Sequence, residues 1–208
     1  MNNPTNIAAL TFATLALAAA TPATAETEPG TTPDAPHLGA YAEVDVGLMA
    51  VMRESGSLHA GIVRGPFRAG LSYTTFRSNK AFGGEPDGFT LRVNYIYGLN
   101  AAYFIGQQSD RGLYLQGMVH FKEQGVTNDA TGDHQDLSSI AAGFELGYLW
   151  KVYQGLYVAP RVGALYYVKS PQGSDDAPVM IGDRMYDNDR HKTWDTYFIP
   201  TLSVGYSW

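Results

Sequence analysis

A few histidines, serines and carboxylates are the residues of this chain whose types could do chemistry. His59 and Ser72 lie either side of the dipeptide Gly65-Pro66. A two-residue turn there sets His59 opposite Ser72, as a base stands to a nucleophile. Glu43 and Asp45 sit lower on the preceding strand and share the inward face with that pair. A second concentration of charge holds Asp175, Asp176, Asp183, Asp187 and Asp189, with Arg184, Arg190, His191 and Lys192. Clustered carboxylates could hold Ca²⁺, and the basic end, Arg190 to Lys192, could contact phosphates directly. Neither group carries a motif. No family pattern surrounds any histidine, the acidic spacing fits no calcium loop, and the absence of cysteine removes thiolate sites. The expectation is ordinary polar filling for the first group and a solvated mixed-charge loop for the second. No catalytic residue, metal ligand or cofactor is assigned.

What must position these residues is a set of strands. The stretch Thr193 to Trp208 reads Trp194, Thr196, Phe198, Pro200, Leu202, Val204, Tyr206 and Trp208 on one face. Asp195, Tyr197, Ile199, Thr201, Ser203, Gly205 and Ser207 form the other. A period of two, apolar on one side and small or polar on the other, is a β-strand between two different media. The same period places strands at Gly39 to Met52, Ser57 to Arg64, Phe67 to Arg77, Phe89 to Gly106, Leu113 to Phe121, Leu137 to Val152 and Leu156 to Lys169. In the fourth, Leu91, Val93, Tyr95, Tyr97, Leu99, Ala101, Tyr103 and Ile105 are expected to share a face. The count is eight with the closing strand. Short turns at Gly65-Pro66, Gln107 to Gly112 and Tyr153 to Gly155 alternate with connections at Arg53 to Gly56, Ser78 to Gly88, Lys122 to Asp136 and Ser170 to Lys192.

Which face meets which medium follows from the charges. The apolar faces carry almost none; Arg64 is the exception, beside a turn. The opposite faces carry Glu43, Asp45, Arg68, Arg92, Glu145, Lys151, Arg161, Lys169 and Asp195, interleaved with glycines. A soluble barrel is apolar inside, whereas a membrane barrel reverses this. Eight strands leave room for side chains only. The interior charges must therefore pair, because an unpaired buried charge costs several kcal/mol. The expectation is a lumen salt-bridge network of Glu43, Asp45, Glu145, Arg161 and Lys151. If Val152 pairs with Leu156, Glu145 stands opposite Gly163 and diagonal to Arg161. Aromatics gather in two girdles. Phe67, Tyr103, Trp150, Tyr206 and Trp208 lie at one end; Tyr73, Phe89, Phe121, Tyr166 and Trp194 lie at the other.

The rest of the 208 residues fits a secreted protein. Residues 1–25 read as a signal peptide: Ile7 to Ala20 is apolar or small apart from threonine, and Ala23-Thr24-Ala25 resembles a cleavage site. The n-region lacks Lys and Arg. Residues 26–37, with three prolines, are a flexible periplasmic lead-in, and 38–208 are the barrel. The net charge of −6 argues against a nucleic-acid partner.

With these strands and its end at Leu202-x-Val204-x-Tyr206-x-Trp208, the chain resembles the small outer-membrane barrels of the OmpA/OmpX type from about Gly39 to Trp208. The resemblance implies an all-β fold, an eight-stranded antiparallel up-and-down transmembrane barrel. It implies that the alternating aromatic end is a sorting signal for the barrel-assembly machinery, reached with periplasmic chaperones. Trp in place of the commoner Phe, and Pro200 within the strand, depart from that pattern. It further implies outer-membrane lipid and lipopolysaccharide as surroundings. The expected role is a porin-like envelope protein of a Gram-negative cell, non-enzymatic and with a filled lumen. Its loops would face outwards towards a ligand the sequence does not name. The rivals are a lipid A or phospholipid-modifying barrel enzyme, and a transport barrel for small hydrophobes with a lateral opening near Ala60 and Ala69.

Overall fold

The computed structural model describes residues 38–77, 86–106, 111–169, 173, 177–187 and 197–208, with Arg53 and residues 197–199 described by backbone alone. The signal peptide, the lead-in, Trp194, Asp195, and the basic end Arg190 to Lys192 lie outside the described residues.

Eight strands close into an antiparallel barrel. They are β1 (Leu38–Asp45), β2 (Arg53–Arg64), β3 (Phe67–Arg77), β4 (Phe89–Phe104), β5 (Gly112–Asn128), β6 (His134–Tyr153), β7 (Leu156–Lys169) and β10 (Tyr197–Ser207). The ring runs β1-β10-β7-β6-β5-β4-β3-β2, so each strand lies beside its neighbour in the barrel order and β10 closes on β1. Closure pairs Ala42 with Tyr206 and Val44 with Val204, so β1 joins the two ends of the sheet. Gly65-Pro66 is a two-residue turn; Gly65 has φ +55°, which glycine accepts at little cost. A two-stranded hairpin, β8 (Val179–Ile181) and β9 (Arg184–Tyr186), sits in the last long connection.

Large apolar side chains point outward around the ring: Leu71, Leu99, Leu115, Phe144, Leu146, Trp150 and Val162 among them. A sheet surrounded by water does not leave such a belt exposed. The interior holds the buried charges and the small residues.

The structure corrects the expected strands at three places. The first strand ends at Asp45 rather than Met52; a short helix, α1 (Val46–Val51), follows, and β2 begins at Arg53, where a turn was expected. Asp45 causes the switch, because its carboxylate accepts from Leu48 N (3.0 Å) as an N-cap. The loop expected at Lys122 to Asp136 is mostly strand, since β5 and β6 extend to Asn128 and back from His134. A transmembrane strand needs only about 9–11 residues, so the 17-residue β5 and 20-residue β6 rise above the apolar belt.

The third correction is one of phase. β4 does not keep one face outward for its whole length. Its register against β5 shifts between Val93 and Tyr95, a bulge that sets one extra residue in β4. Below the bulge, Tyr97, Leu99, Ala101 and Tyr103 point out. Above it, Phe89, Leu91 and Val93 are buried at 5% exposure or less. Arg92, expected in the lumen, alternates with these buried residues and faces the other way. Phe89 is therefore a core residue and not part of an aromatic girdle. On β5 and β6 the outward positions change composition at the same level, from Phe121 and Ile140 to Glu123, Thr127, His134, Asp136 and Ser138. Above the bulge the sheet is polar outside and apolar inside, as a water-exposed sheet should be.

Lys at Leu146 or Val162, which are 44% and 50% exposed in the belt, should lower folding stability in phospholipid bilayers by about 2–4 kcal/mol at mid-depth. Lys at Ser138, outward but above the bulge, should change it little. Urea titration of vesicle-inserted protein measures the difference.

Candidate functional site

The candidate site is the lumen, where inward-facing side chains form three tiers. The middle tier is built around Arg161 of β7. Its Nη1 donates to Glu43 Oε1 of β1 at 2.7 Å, and its Nη2 to Ser203 Oγ of β10 at 2.8 Å. Its Nε lies 3.4 Å from Glu145 Oε2 of β6, an ionic contact whose angle falls outside hydrogen-bond geometry. Glu43 also accepts from Tyr157 Oη at 2.9 Å, and Glu145 from Gln116 Nε2 at 3.0 Å. Glu43, Glu145 and Arg161 are 6–8% exposed. Four strands thus meet at one guanidinium, whose planar fork suits two carboxylates at once, and β5 joins through Gln116.

Register and glycine make this possible. Glu145 pairs with Gly163, as expected from the count along the turn. A Cβ on Gly163 would stand 2.5 Å from Glu145 Cγ, and one on Gly205 would stand 2.5 Å from the Tyr157 ring. Both glycines leave space for a long side chain from the next strand. At the turn, Tyr153 pairs with Leu156 rather than Val152, and a register shift between Lys151 and Tyr153 absorbs the difference.

Two residues of the expected network hold other positions. Asp45 is buried, but its carboxylate caps α1. Lys151 is exposed at the end of β6. Tyr157, opposite it across the ladder, is buried and fills the lumen there. Lys169 is exposed as well.

The lower tier is apolar and aromatic: Ala102, Phe104, Tyr114, Leu149, Tyr157 and Ala159 form one buried cluster. Arg68 lies among these rings, its guanidinium carbon 4.9 Å from the Tyr41 centroid, 5.1 Å from Phe104 and 4.9 Å from Tyr157. Arginine stacked against aromatic faces is stabilised electrostatically while shielded from water. Strand phase places Arg68 inward at the bottom of β3, but it does not reveal this cage or the roles of Gln116, Ser203 and Tyr157. The inward phase of each of those residues was the available signal.

The upper tier is the apolar cluster of Phe89, Leu91, Val126, Leu137, Ile181 and Tyr186. The β8–β9 hairpin supplies the last two. It leaves the ring between β7 and β10, yet Tyr186 packs edge-on against Phe89 of β4, on the far side of the ring (centroids 5.2 Å apart). Asn128, fully buried, holds the hairpin by donating to Ile181 O (2.9 Å) and Asp183 Oδ1 (3.0 Å). Asp183, one carboxylate of the acidic loop, therefore has a structural partner.

His59 does stand opposite Ser72 in the ladder. Its Nε2, however, lies 3.2 Å from Ser57 Oγ, and its Nδ1 lies 3.9 Å from Glu43 Oε1. The order serine, histidine, carboxylate is that of a hydrolase. Here Glu43 is committed to Arg161 and Tyr157, and Ser57 shares its hydroxyl with Thr74 at 2.9 Å. Ser57 is 6% exposed, which suits a filled polar interior better than an attacking nucleophile.

No family model matches the chain, and no curated protein matches it by sequence. Three solved structures are similar to it in fold. Neisserial surface protein A (NspA) is 15% identical, with a TM-score of 0.43, over 82% of this chain and 94% of that one. A major outer membrane protein from Thermus thermophilus is 14% identical, with a TM-score of 0.45, over 82% and 98%. The β domain of the Bordetella autotransporter BrkA is 12% identical, with a TM-score of 0.36, over 84% and 80%.

Arg161→Met leaves two facing carboxylates without their cation and should cost about 3–5 kcal/mol. Adding Glu43→Gln and Glu145→Gln should recover part of that loss, because the three residues act as one unit. Equilibrium refolding into vesicles measures both.

Proposed function

We propose that this chain is an integral outer-membrane β-barrel with a filled lumen and no catalytic role, whose exposed upper sheet and loops are its working surface. One observation carries the reading: on a closed ring, the large apolar side chains of the belt face out, while Glu43, Arg68, Glu145 and Arg161 face in. Only hydrocarbon makes that arrangement favourable over its inverse. The long β5–β6 end, polar on its outer face, is then the extracellular side. The short turns at Gly65-Pro66 and Gln154-Gly155 are periplasmic.

The three tiers support a plug. A guanidinium with two carboxylates, an aromatic cluster below and a packed hairpin above leave no wide water path. The terminal pattern Leu202, Val204, Tyr206 and Trp208 lies at the closing strand, with the Tyr206 and Trp208 rings 5.1 Å apart. It suits recognition by the barrel-assembly machinery. Lipopolysaccharide and outer-leaflet lipid are the proposed surroundings.

The mature protein should fractionate with the outer membrane and migrate faster on gels before heating than after. A soluble periplasmic product would overturn the membrane reading. In planar bilayers it should give no large stable conductance; a porin-sized conductance would refute the plug. Deleting Trp208 should cut assembly sharply without altering export, as read by the ratio of folded to unfolded band.

A further inference from the structure

Among the described residues, the barrel wall lacks one strand's worth of pairing near its upper end. β1 pairs with β10 only as far as Asp45 with Ser203, and with β2 only as far as Val44 with Leu58. β10 continues upward to Tyr197 along β7, and β2 continues to Arg53 along β3. Among the described residues, no strand pairs the facing edges of β10 and β2 above those points.

Pro200 fits this gap. Trp208 N donates to Ala40 O, towards β1, and Ser207 N to Gly155 O, towards β7. Backbone groups alternate sides along a strand, and β10 shows no register break against β7 from Tyr206 to Tyr197. Even-numbered residues of β10 therefore face β1's side. Pro200, which has no N–H, falls on the unpaired edge, where proline is tolerated.

The gap is filled by α1. Two strands that flank a missing one stand about 10 Å apart, from the usual strand spacing, and a helix is about 10–12 Å across. α1 packs against both β10 and β2. Its Gly47 abuts β10 so closely that a Cβ there would lie 3.1 Å from Leu202 N. A helix can close a wall in lipid because it satisfies its own backbone. This one is weakly held, however. It has six residues, none of them buried, and Met49 and Val51 are 48% and 42% exposed. Its tethers are the Asp45 cap at one end and Ser55 of β2 at the other, whose Oγ donates to Met52 O at 3.1 Å. A helix this short is marginal by itself.

Behind α1 the lumen is polar. Ser57, His59, Thr201, Ser203 and Asp45 lie nearest the gap along β1, β2 and β10, and Glu43 beside them is paired with Arg161. We propose that α1 is a lateral gate. When it leaves its slot, the polar head of an outer-leaflet amphiphile reaches Ser57, His59 and Asp45 behind it while its acyl chains stay in lipid. The Asp45 carboxylate, released from Leu48 N when α1 leaves, selects heads bearing ammonium or hydroxyl donors. The proposal rests on the membrane reading above and adds a route to it.

The chain has no cysteine, so a single reporter can be placed cleanly. Ser57→Cys is reconstituted in vesicles doped with a phospholipid carrying maleimide on its headgroup, and coupling is followed by gel shift. Folded barrel is verified beforehand by heat-dependent migration, so loss of the membrane fold is told apart from failure of the gate. The gate predicts that Ser57→Cys couples to the lipid. It predicts a tenfold or greater loss when Gly47→Cys and Leu202→Cys are first oxidised to a disulfide. The 3.5 Å separation of their Cβ positions permits that bond. Asp45→Ala, which removes the cap, should raise the rate about fivefold, the equivalent of ~1 kcal/mol. Absence of coupling in the folded barrel would overturn the proposal. So would a rate unmoved by both the lock and Asp45→Ala, since the headgroup would then reach Ser57 by the open mouth.

Discussion

A closed wall is the constraint on which everything else in this protein depends. Hydrocarbon offers no partner to a backbone N–H or C=O, so each must be satisfied within the chain. Seven pairings between successive barrel strands and the β1–β10 closure meet that demand around the ring. Where β1 stops early, the wall is made good by a helix, which closes its own hydrogen bonds, and by a proline, which has one fewer group to satisfy. Closure at eight strands also fixes the bore, and a bore this narrow has to be filled by its own side chains.

The filling follows from that size. Arg161 is held by Glu43, Glu145 and Ser203, and Arg68 by aromatic faces. Each cation is compensated in a different way, Arg161 by carboxylates and a hydroxyl, and Arg68 by aromatic faces together with the Tyr157 hydroxyl. The glycines opposite Glu145 and Tyr157 set where long arms can cross. Above the apolar belt the same sheet changes character without changing its pairing. The bulge in β4 turns Phe89, Leu91 and Val93 inward, and the hairpin from the other side of the ring covers them.

The period of two made the strands, their order and the inward set legible, because a strand between two media writes its faces directly into alternate residues. Glu145 opposite Gly163, and Glu43 with Arg161 in one lumen, followed from counting along short turns. What alternation could not reveal was any place where the backbone breaks the count. The bulge at Val93 to Tyr95 leaves an apolar alternation intact on paper while reversing which side it faces. α1 was hidden for the same reason, since Val44, Val46, Leu48 and Ala50 continue the strand pattern and only the capping geometry of Asp45 ends it. Lys151 was assigned to the interior by phase alone, although its position at a strand end lets a long side chain reach water.

The central claim is that the apolar belt meets hydrocarbon and ends at the level of the bulge. A bimane fluorophore on single cysteines at Leu146, Ser138 and Ser139, in bilayers with brominated acyl chains, tests it directly. Leu146 points out within the belt, Ser138 points out above it, and Ser139 points in. The account predicts strong quenching at Leu146 and weak quenching at the other two. Equal quenching at Leu146 and Ser138 would remove the boundary, and stronger quenching at Ser139 than at Leu146 would contradict the assignment of inside and outside.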